Sequence, residues 1–490
     1  MTIQVEKERI ILYKHTCNYD LIKAIALDVK SNCNNDISDE EKYRMQERLA
    51  QIGLYKTRNP EEKPLDAMNH RINTLQYWMF GYKQKINNEN KFIFSPLGNL
   101  FLQNIQDENK LMKIFATMLF AIQFPHPGSG TPRCFNIYLF RIIYKLLTDT
   151  RLDGKLYNQE YECLLAFITA INEEKYEELV FKILEMRKLS DEKIVEILKA
   201  DEHTYVNNIH EWETFIQTLL EQVKIFKKYT GSSLCKLFHP QNPNSRSKPT
   251  GRIATRGYIS LNPELVPFIK TLLDQYDFDE TPLSLNDSER LEIDVVKEIY
   301  SFYPKELLTE IGEYNSIIDE LLQLTKLIEK YSNNETQGDC YLFENVLTKG
   351  FNQFYNIEAT LCGGAGKTDI ECLYLHAKNR KKFAVDAKST GNKLTSINAG
   401  RLAAHRRKIS GEYTIVVTPR YVPAVRYDIV NNPIVIILAS TFSEYLYNCI
   451  SHGIREIDYA DIDNIIIDNL GKDISYEIST LTIEKFGACA

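Results

Sequence analysis

Residues 361–388 read LCGGAGKTDIECLYLHAKNRKKFAVDAK, and this stretch decides which fold the C-terminal part of the chain can adopt. A loop that holds a nucleotide phosphate needs Gly, four residues and then Gly-Lys-Ser/Thr, with a strand before it and a helix after it. Counting back from Gly366, the position of the first glycine is occupied by Leu361, and Thr368 is followed by the alternating strand residues IECLYL. The pattern therefore argues against an ATPase, and no nucleotide cofactor is expected.

Two acidic residues of this stretch lie on two strands that a short turn joins. The turn would bring the carboxylates of Asp369 and Asp386 together at one end of a small sheet. Close carboxylates repel one another and are stabilised by a hard cation such as Mg²⁺. Lys388, two residues after Asp386, projects from the same face of its strand and reaches the same site. These are the parts of a metal-dependent phosphodiester hydrolase, with Mg²⁺ as cofactor, both aspartates as ligands and Lys388 as a catalytic group.

The context of Asp386-Ala387-Lys388 distinguishes it from other acid-x-Lys triplets such as Glu40-Glu41-Lys42. Only this triplet closes an apolar strand, follows a second strand-borne Asp at hairpin distance and lies in a basic block. Glu344, on the helix before the sheet, is a candidate outer ligand and catalytic residue. The alternative for Glu344 is an ordinary glutamate on a helix surface.

The segment from His376 to Lys408 is strongly basic, with ten Lys or Arg residues and one acid. Such a run is usually only a solvated face. Beside a phosphodiesterase site it would contact the DNA backbone, and Arg401 and Arg406 are the candidate contacts. Lys367 is a candidate phosphate contact next to the metal.

Bulk composition predicts a globular protein of two to four domains, since the chain has 490 residues, 44% of them apolar and 26% charged. No apolar window is long enough to span a membrane, and the N-terminus is charged, so a cytoplasmic, bacterial-type intracellular protein without a membrane partner is expected. The ten cysteines contain no Cys-x-x-Cys pair and are expected to be reduced. A net charge of -7 argues weakly against indiscriminate binding of nucleic acid.

The N-terminal region shows one pattern twice. Helical periodicity at 39–52 and 69–84 precedes a polar turn, the strand 92–94 and a new helix, which is the order of a winged helix. Helical periodicity then runs through 156–228, and a loop, a strand at 257–261 and a helix follow. The second loop has no Asp or Glu from 239 to 263 and carries four candidate DNA contacts, namely Arg246, Lys248, Arg252 and Arg256. The alternative is a soluble surface loop.

The chain then becomes helical and acidic before its character changes again near 332–339. The last 150 residues predict an α-β-β-β-α-β-β-α order, a mixed sheet flanked by helices. The predicted fold class is α+β multidomain. Its parts are a winged-helix-like DNA-recognition subdomain at 1–115, a second one at 116–280, a helical linker at 281–338 and an α/β nuclease domain at 339–490.

With these residues in hand, the C-terminal segment resembles the PD-(D/E)xK nuclease superfamily. More narrowly, 342–388 is similar to the cleavage domain of FokI-type type IIS restriction endonucleases in the spacing of its helix glutamate, Gly-Gly, the Lys before the first Asp, and Asp-x-Lys. The front of the chain resembles the AlwI family of type IIS enzymes in NKFIFSPLGNLFLQNI and TRGYISLNPELVPFI. The resemblance implies recognition of a short asymmetric duplex site and cleavage at a fixed distance with Mg²⁺. Thr368 departs from the superfamily, which has proline there.

The leading hypothesis is a type IIS restriction endonuclease that acts on double-stranded DNA. One active site per chain cuts one strand at a time, so double cleavage needs a second subunit, as in a transient homodimer through the nuclease domain, or a second binding event. A site-specific nicking endonuclease is the alternative among enzymes. A catalytically inactive winged-helix DNA-binding regulator is the alternative of another class, and it would not need Asp369, Asp386 and Lys388.

Overall fold

The computed structural model describes residues 8–55, 64–86, 89–239, 249–287, 290–335, 338–362, 366–376, 379–454 and 456–486. Contacts divide the chain into two compact units, Met1–Glu313 and Tyr314–Ala490. Among the described residues, no helix combines the length and the apolar character that crossing a bilayer requires.

The first unit is mainly helical. Its α-helices are α1 Tyr19–Leu27, α2 Asp39–Gln51, α3 Pro64–Tyr77, α4 Pro96–Gln103, α5 Glu108–Ala121, α6 Leu139–Thr148, α7 Asn158–Cys163, α8 Glu173–Arg187, α9 Asp191–Ala200, α10 Glu202–Ile209, α11 Gln217–Gln222, α12 Val266–Gln275, α13 Glu292–Tyr300 and α14 Lys305–Glu310. Its strands are β1 Gly81–Ile86, β2 Glu89–Phe94, β3 Leu156–Tyr157, β4 Phe226–Tyr229, β5 Ser233–Phe238, β6 Gly251–Thr255 and β7 Tyr258–Leu261. Short 3₁₀ and π-helical segments lie between some of the helices.

Three small sheets accompany these helices. Strands β1 and β2 form a hairpin, β3, β7 and β4 form a three-stranded sheet, and β5 pairs with β6. The first hairpin follows α3 and precedes α4, which agrees with the predicted order of helices, turn and strand. The winged-helix assignment itself stays a prediction. Arg246 and Lys248 lie outside the described residues.

The predicted helix at 69–84 is wrong at its C-terminal end. Helix α3 ends at Tyr77, Met79 takes a left-handed backbone with φ of 66°, and β1 begins at Gly81. Pairing of β1 with β2, from Gly81 opposite Phe94 onwards, satisfies backbone groups that the helical pattern would have used internally. The tertiary hairpin therefore overrides the helical periodicity.

The predicted linker at 281–338 is divided between the two units. Val295, Ile299 and Leu307, on α13 and α14, are buried in the core of the first unit. Helix α15, Ser316–Ser332, buries Leu322 and Ile328 in the core of the second. The acidic composition indicated exposed faces, but the apolar stripe of each helix packs against a core. The predicted subdomains 1–115 and 116–280 likewise share one core cluster.

The second unit follows the predicted order closely. Its further helices are α16 Asp339–Phe351, α17 Ala399–Lys408, α18 Val425–Ile429, α19 Ala439–Ser451, α20 Ala460–Asp468 and α21 Ser475–Phe486. Its strands are β8 Ile357–Leu361, β9 Ile370–His376, β10 Asn379–Ala387, β11 Thr414–Thr418 and β12 Ile434–Leu438. The short helix α18 was not predicted, since five residues carry too little periodicity to be read from the sequence.

One five-stranded mixed sheet forms the centre of the second unit, in the order β12-β11-β10-β9-β8. Strands β8, β9 and β10 are antiparallel, and β10, β11 and β12 are parallel. Strands β11 and β12 are buried along most of their length, as strands covered on both faces are. The predicted mixed sheet flanked by helices is confirmed.

We expect Gly98→Ala to destabilise the first unit. A Cβ at Gly98 would lie 2.0 Å from the Phe80 carbonyl oxygen, which backbone movement alone can relieve. Gly130→Ala is the matched control, because the nearest atom to its Cβ would be 3.8 Å away. Thermal unfolding should show a lower Tm for Gly98→Ala only. An equal Tm in both variants would contradict the close approach of α4 to Phe80.

Candidate active site

The pairing of β9 with β10 brings the two predicted aspartates together. Val385 pairs with Ile370 at the end of the antiparallel ladder. The next residue on β10 is Asp386, and the residue before β9 is Asp369, so the same register places them opposite each other. Asp386 also pairs with Val416 of the central parallel part of the sheet. Its side chain is buried, with 2% of its surface exposed.

Hydrogen bonds fix the segment before β9 against β10. The Ala387 N–H donates to Asp369 Oδ2 at 2.8 Å. The Thr368 hydroxyl donates to the Val385 carbonyl at 3.0 Å, and Thr368 is itself buried. Threonine at position 368, where the superfamily has proline, thus provides a side-chain hydrogen bond next to both aspartates.

Lys388 lies where the strand alternation predicts it. Its ammonium is in ion-pair contact with the Asp386 carboxylate. Its backbone N–H donates to the Val417 carbonyl at 2.8 Å, which continues the parallel pairing of β10 with β11. The ammonium is therefore held beside the carboxylate from the same face of the strand.

The electrostatics of the site oppose ionisation of Asp369 and Glu344. Burial, and then the nearby charge of Asp386, raise the pKa of Asp369 to about 6, although Lys388 and the Ala387 N–H act in the other direction. Burial also raises the pKa of Glu344, and Lys388 lowers it while Asp386 raises it. Glu344 on α16 is therefore within range of the charges of Asp386 and Lys388, and its role as an outer ligand stays a prediction.

A magnesium ion fits the two aspartates rather than a larger cage. Among the described residues, no three His, Cys, Asp or Glu side chains converge closely enough to hold a metal. Mg²⁺ is usually held by one or two carboxylates, with waters and substrate phosphate completing its shell. No side chain or N–H of the described residues donates to the buried Asp386 Oδ2 with hydrogen-bonding geometry, although Lys388 is in contact with it. Asp369 and Asp386 could hold such an ion between them, and Glu344 is not brought in as a third close ligand.

Only part of the basic segment is free to meet a phosphate. Lys381 pairs with Asp463 at 2.9 Å and Lys382 with Glu371 at 2.7 Å. Arg406 is half-buried and donates to the Pro433 carbonyl at 3.2 Å, which gives it a structural contact within the unit.

Two further basic side chains flank the site. Arg401 is exposed on the first turn of α17, and Lys367 is exposed in the turn before Asp369. Lys408, at the end of α17, donates to the Gly366 carbonyl at 2.6 Å and so ties this helix to the same turn. Arg401 and Lys367 are thus accessible to solvent, and their contact with DNA stays a prediction.

His405, on α17, is a further neighbour of the site. Burial and then Arg401 lower its pKa, while Asp386 raises it, so the ring lies within reach of the charges of the site. No sequence motif marks a histidine on a helix that follows the strand carrying Asp386. Its proximity depends on how α17 packs against β10.

The candidate DNA contacts of the first unit lie on and after β6. Arg252 Nη2 is 3.4 Å from His210 Nε2, and Arg256 Nε is 3.8 Å from Asp191 Oδ1. Both arginines are half-buried rather than fully extended into solvent.

Comparisons with known proteins agree with a DNA-cleaving assignment. A family model described as "Type II restriction endonuclease HgaI, N-terminal domain" matches residues 5–276. The "Type II restriction enzyme HgaI" of Avibacterium volantium is 49% identical over 478 residues, covering 97% of each chain.

Solved structures give weaker matches. The restriction endonuclease FokI has a TM-score of 0.26 at 9% identity and covers 95% of this chain and 99% of its own. The BpuJ1 endonuclease binding domain, in complex with modified DNA, has a TM-score of 0.36 at 15% identity and covers 61% and 98%. Scores this low carry no weight, so the assignment rests on the family model and the sequence relative. The resemblance to the AlwI family stays a prediction.

We expect Asp369→Asn to raise the Tm measured at neutral pH without divalent metal. The substitution removes a buried charge beside Asp386, while its amide oxygen can still accept from the Ala387 N–H. Asp458→Asn is the contrasting variant. Asp458 accepts from Asn356 Nδ2 at 2.7 Å and from the Ala460 N–H at 2.9 Å, so its loss of charge should lower the Tm. A lower Tm for Asp369→Asn would contradict the electrostatic conflict described here.

Proposed function

This chain belongs to the type II restriction endonuclease HgaI family, and from that premise we propose that it is a type IIS enzyme that hydrolyses double-stranded DNA with Mg²⁺. The first unit would recognise a short duplex site, and the second would cut at a fixed distance from it. The observation that carries the proposal is the register of β9 and β10, which places Asp369 opposite Asp386 with Lys388 on the same face.

The residues of the site divide the chemical work between them. Asp369 and Asp386 would hold Mg²⁺, which supplies the Lewis acidity that activates an attacking water and neutralises the phosphate. Lys388 places its ammonium beside Asp386, where it can orient the nucleophile or stabilise negative charge that develops on the phosphate oxygens. The burial of Asp386 keeps bulk water from screening these interactions.

The basic side chains next to the site would hold the DNA backbone. Lys367 and Arg401 are exposed on the turn and the helix that flank the aspartates. Arg406 donates a hydrogen bond to the Pro433 carbonyl, so any effect of this residue on DNA binding would be indirect. In the first unit, Arg252 and Arg256 keep their proposed role as phosphate contacts.

We expect Asp386→Ala to abolish cleavage of a supercoiled plasmid of mixed sequence in the presence of Mg²⁺. The parent protein should give discrete fragments, since cleavage depends on a recognition sequence. Lys388→Ala should slow cleavage at least about 100-fold, the effect of removing one group that stabilises the transition-state charge. Products are resolved by agarose gel electrophoresis.

The control for this experiment is Asp468→Ala, an exposed aspartate at the end of α20 in the same unit. It should cut as the parent does. Cleavage by Asp386→Ala at the rate of the parent would show that the site assignment is wrong. Binding of plasmid without any cleavage by the parent protein would favour the winged-helix regulator instead.

The number of strands cut separates the proposed enzyme from a nicking enzyme. One site per chain hydrolyses one strand, so linear product requires a second subunit or a second binding event. If a transient homodimer forms, the initial rate of linearisation should rise more steeply than in proportion to protein concentration. Nicked circles that never become linear would show that the nicking alternative is correct.

A further inference from the structure

The outer face of the β3-β7-β4 sheet carries three tyrosines in one row. Tyr157 pairs with Tyr258, and Tyr258 pairs with Tyr229, so the three side chains lie side by side across the strands. The inner face of the same strands is apolar and buried in the core of the unit, and it carries Leu156, Phe226 and Ile259. The row therefore lies on the solvent side of the sheet, and the opposite side packs against the core.

The rings of the row form a continuous aromatic surface. Tyr229 stacks on Tyr258 with a centroid distance of 4.5 Å and an interplanar angle of 17°. Tyr157 lies 5.2 Å from Tyr258 at a tilted angle. Tyr229 keeps 43% of its surface exposed. Core packing does not explain three adjacent tyrosines that face outwards.

Cations accompany the row, and its strands contain no acid. Lys155 Nζ is 5.4 Å from the centroid of the Tyr258 ring, and the Arg256 guanidinium is 5.8 Å from that of Tyr157. Lys227 lies two residues before Tyr229 on β4, so it shares the outer face and is exposed. The sequences of the three strands are LY, FKKY and YISL. We call Tyr157, Tyr229, Tyr258, Lys155 and Lys227 the tyrosine face.

Buried polar groups hold the segment that leads into this face. The Thr255 hydroxyl donates to Glu213 Oε2 at 2.7 Å, and Gln159 Nε2 donates to the Thr255 carbonyl at 2.7 Å. The Asn158 N–H donates to the Gly257 carbonyl at 3.0 Å. Glu213, Gln159 and Asn158 are all buried. Burial of these polar groups costs desolvation free energy, which their hydrogen bonds offset. The same hydrogen bonds fix one geometry for the turn between β6 and β7.

A glycine makes that geometry tighter. A Cβ at Gly231 would lie 2.2 Å from the Arg256 carbonyl carbon, and the Arg256 N–H donates to the Ser232 carbonyl at 2.8 Å. The loop after β4 and the turn before β7 are thus locked together. Both lie directly beside Tyr229 and Tyr258, so these two rings are presented on a rigid support.

We propose that the tyrosine face is a surface of the first unit that contacts the sugar-phosphate backbone of duplex DNA. Lys155 and Lys227 would each neutralise a phosphate, and the hydroxyls of Tyr229 and Tyr258 would donate hydrogen bonds to phosphate oxygens. The choice of DNA rests on the proposed function and on the charge of the face, since Lys155 and Lys227 beside strands that contain no acid complement a polyanion. Bases in an intact duplex are stacked within the helix, so the rings contact the backbone rather than the bases.

The lysines are tested by the salt dependence of DNA binding. The full chain is titrated onto a fluorescently labelled mixed-sequence duplex without divalent metal, and the Kd is measured at several salt concentrations. The double variant Lys155→Ala with Lys227→Ala should lower the slope of log affinity against log salt by about 2, because each neutralised phosphate contributes about 0.9. Lys182→Ala with Lys193→Ala is the matched control. These exposed lysines lie on α8 and α9, which are rich in acidic residues, so their loss should leave the slope unchanged.

The hydroxyls are tested by phenylalanine, which keeps each ring. Tyr229→Phe and Tyr258→Phe should each weaken binding about five-fold, the effect of losing one hydrogen bond. Tyr43→Phe is the control, because Tyr43 is similarly exposed, at 46%, on the acidic helix α2. If alanine weakens binding at these two positions and phenylalanine does not, the rings stack on bases and the backbone assignment is overturned.

The outcomes separate this inference from the function on which it rests. If the parent protein does not bind duplex DNA at all, the proposed function fails together with this inference. If the parent binds and the lysine variants keep its salt slope, only the tyrosine face is overturned. Thermal unfolding of every variant, with the Tm of the parent expected, shows that a change in binding comes from the face and not from loss of the fold.

Discussion

The antiparallel pairing of β9 with β10 is the interaction on which the candidate active site depends. Side chains alternate along a strand, so a slip of one residue would turn Asp386 and Lys388 to the opposite face of the sheet. Two hydrogen bonds hold the register at the end of β10 that carries Asp386. The Thr368 hydroxyl donates to the Val385 carbonyl, and the Ala387 N–H donates to Asp369. The same strand β10 joins the antiparallel and parallel halves of the sheet, so its position is fixed from both sides.

This register creates an electrostatic conflict that the fold tolerates. Two carboxyl groups are desolvated next to each other, and burial is the main reason why the pKa of Asp369 is raised. Lys388 relieves the conflict only in part, since it contacts Asp386. Such an arrangement lowers stability without a cation, and it is typical of sites in which binding and catalysis need charge that the fold alone would avoid.

The charged residues show why a basic sequence is not the same as a basic surface. Lys381, Lys382 and Arg406 belong to the run of cations after His376, yet each contacts an acid or a carbonyl of its own unit. In the first unit, by contrast, Lys155 and Lys227 lie 72 residues apart in number and meet on one face, because β3 and β4 pair with the same strand β7. The clustering of cations in the sequence therefore overestimated the accessible positive charge of the first group. It gave no sign that Lys155 and Lys227 lie close together.

The sequence by itself determined the order of elements in the second unit and the three residues, Asp369, Asp386 and Lys388, that are proposed to form its active site. These features are local, so they can be read from neighbouring residues alone. They are the strand alternation, the apolar runs of β11 and β12, and the spacing of Asp369, Asp386 and Lys388. Tertiary structure alone decided the end of α3, the division of the acidic helices between two cores, the approach of His405 to Asp386 and the row of tyrosines. Each of these depends on which surface packs against an element from elsewhere in the chain, and no periodicity within a segment encodes its distant neighbour.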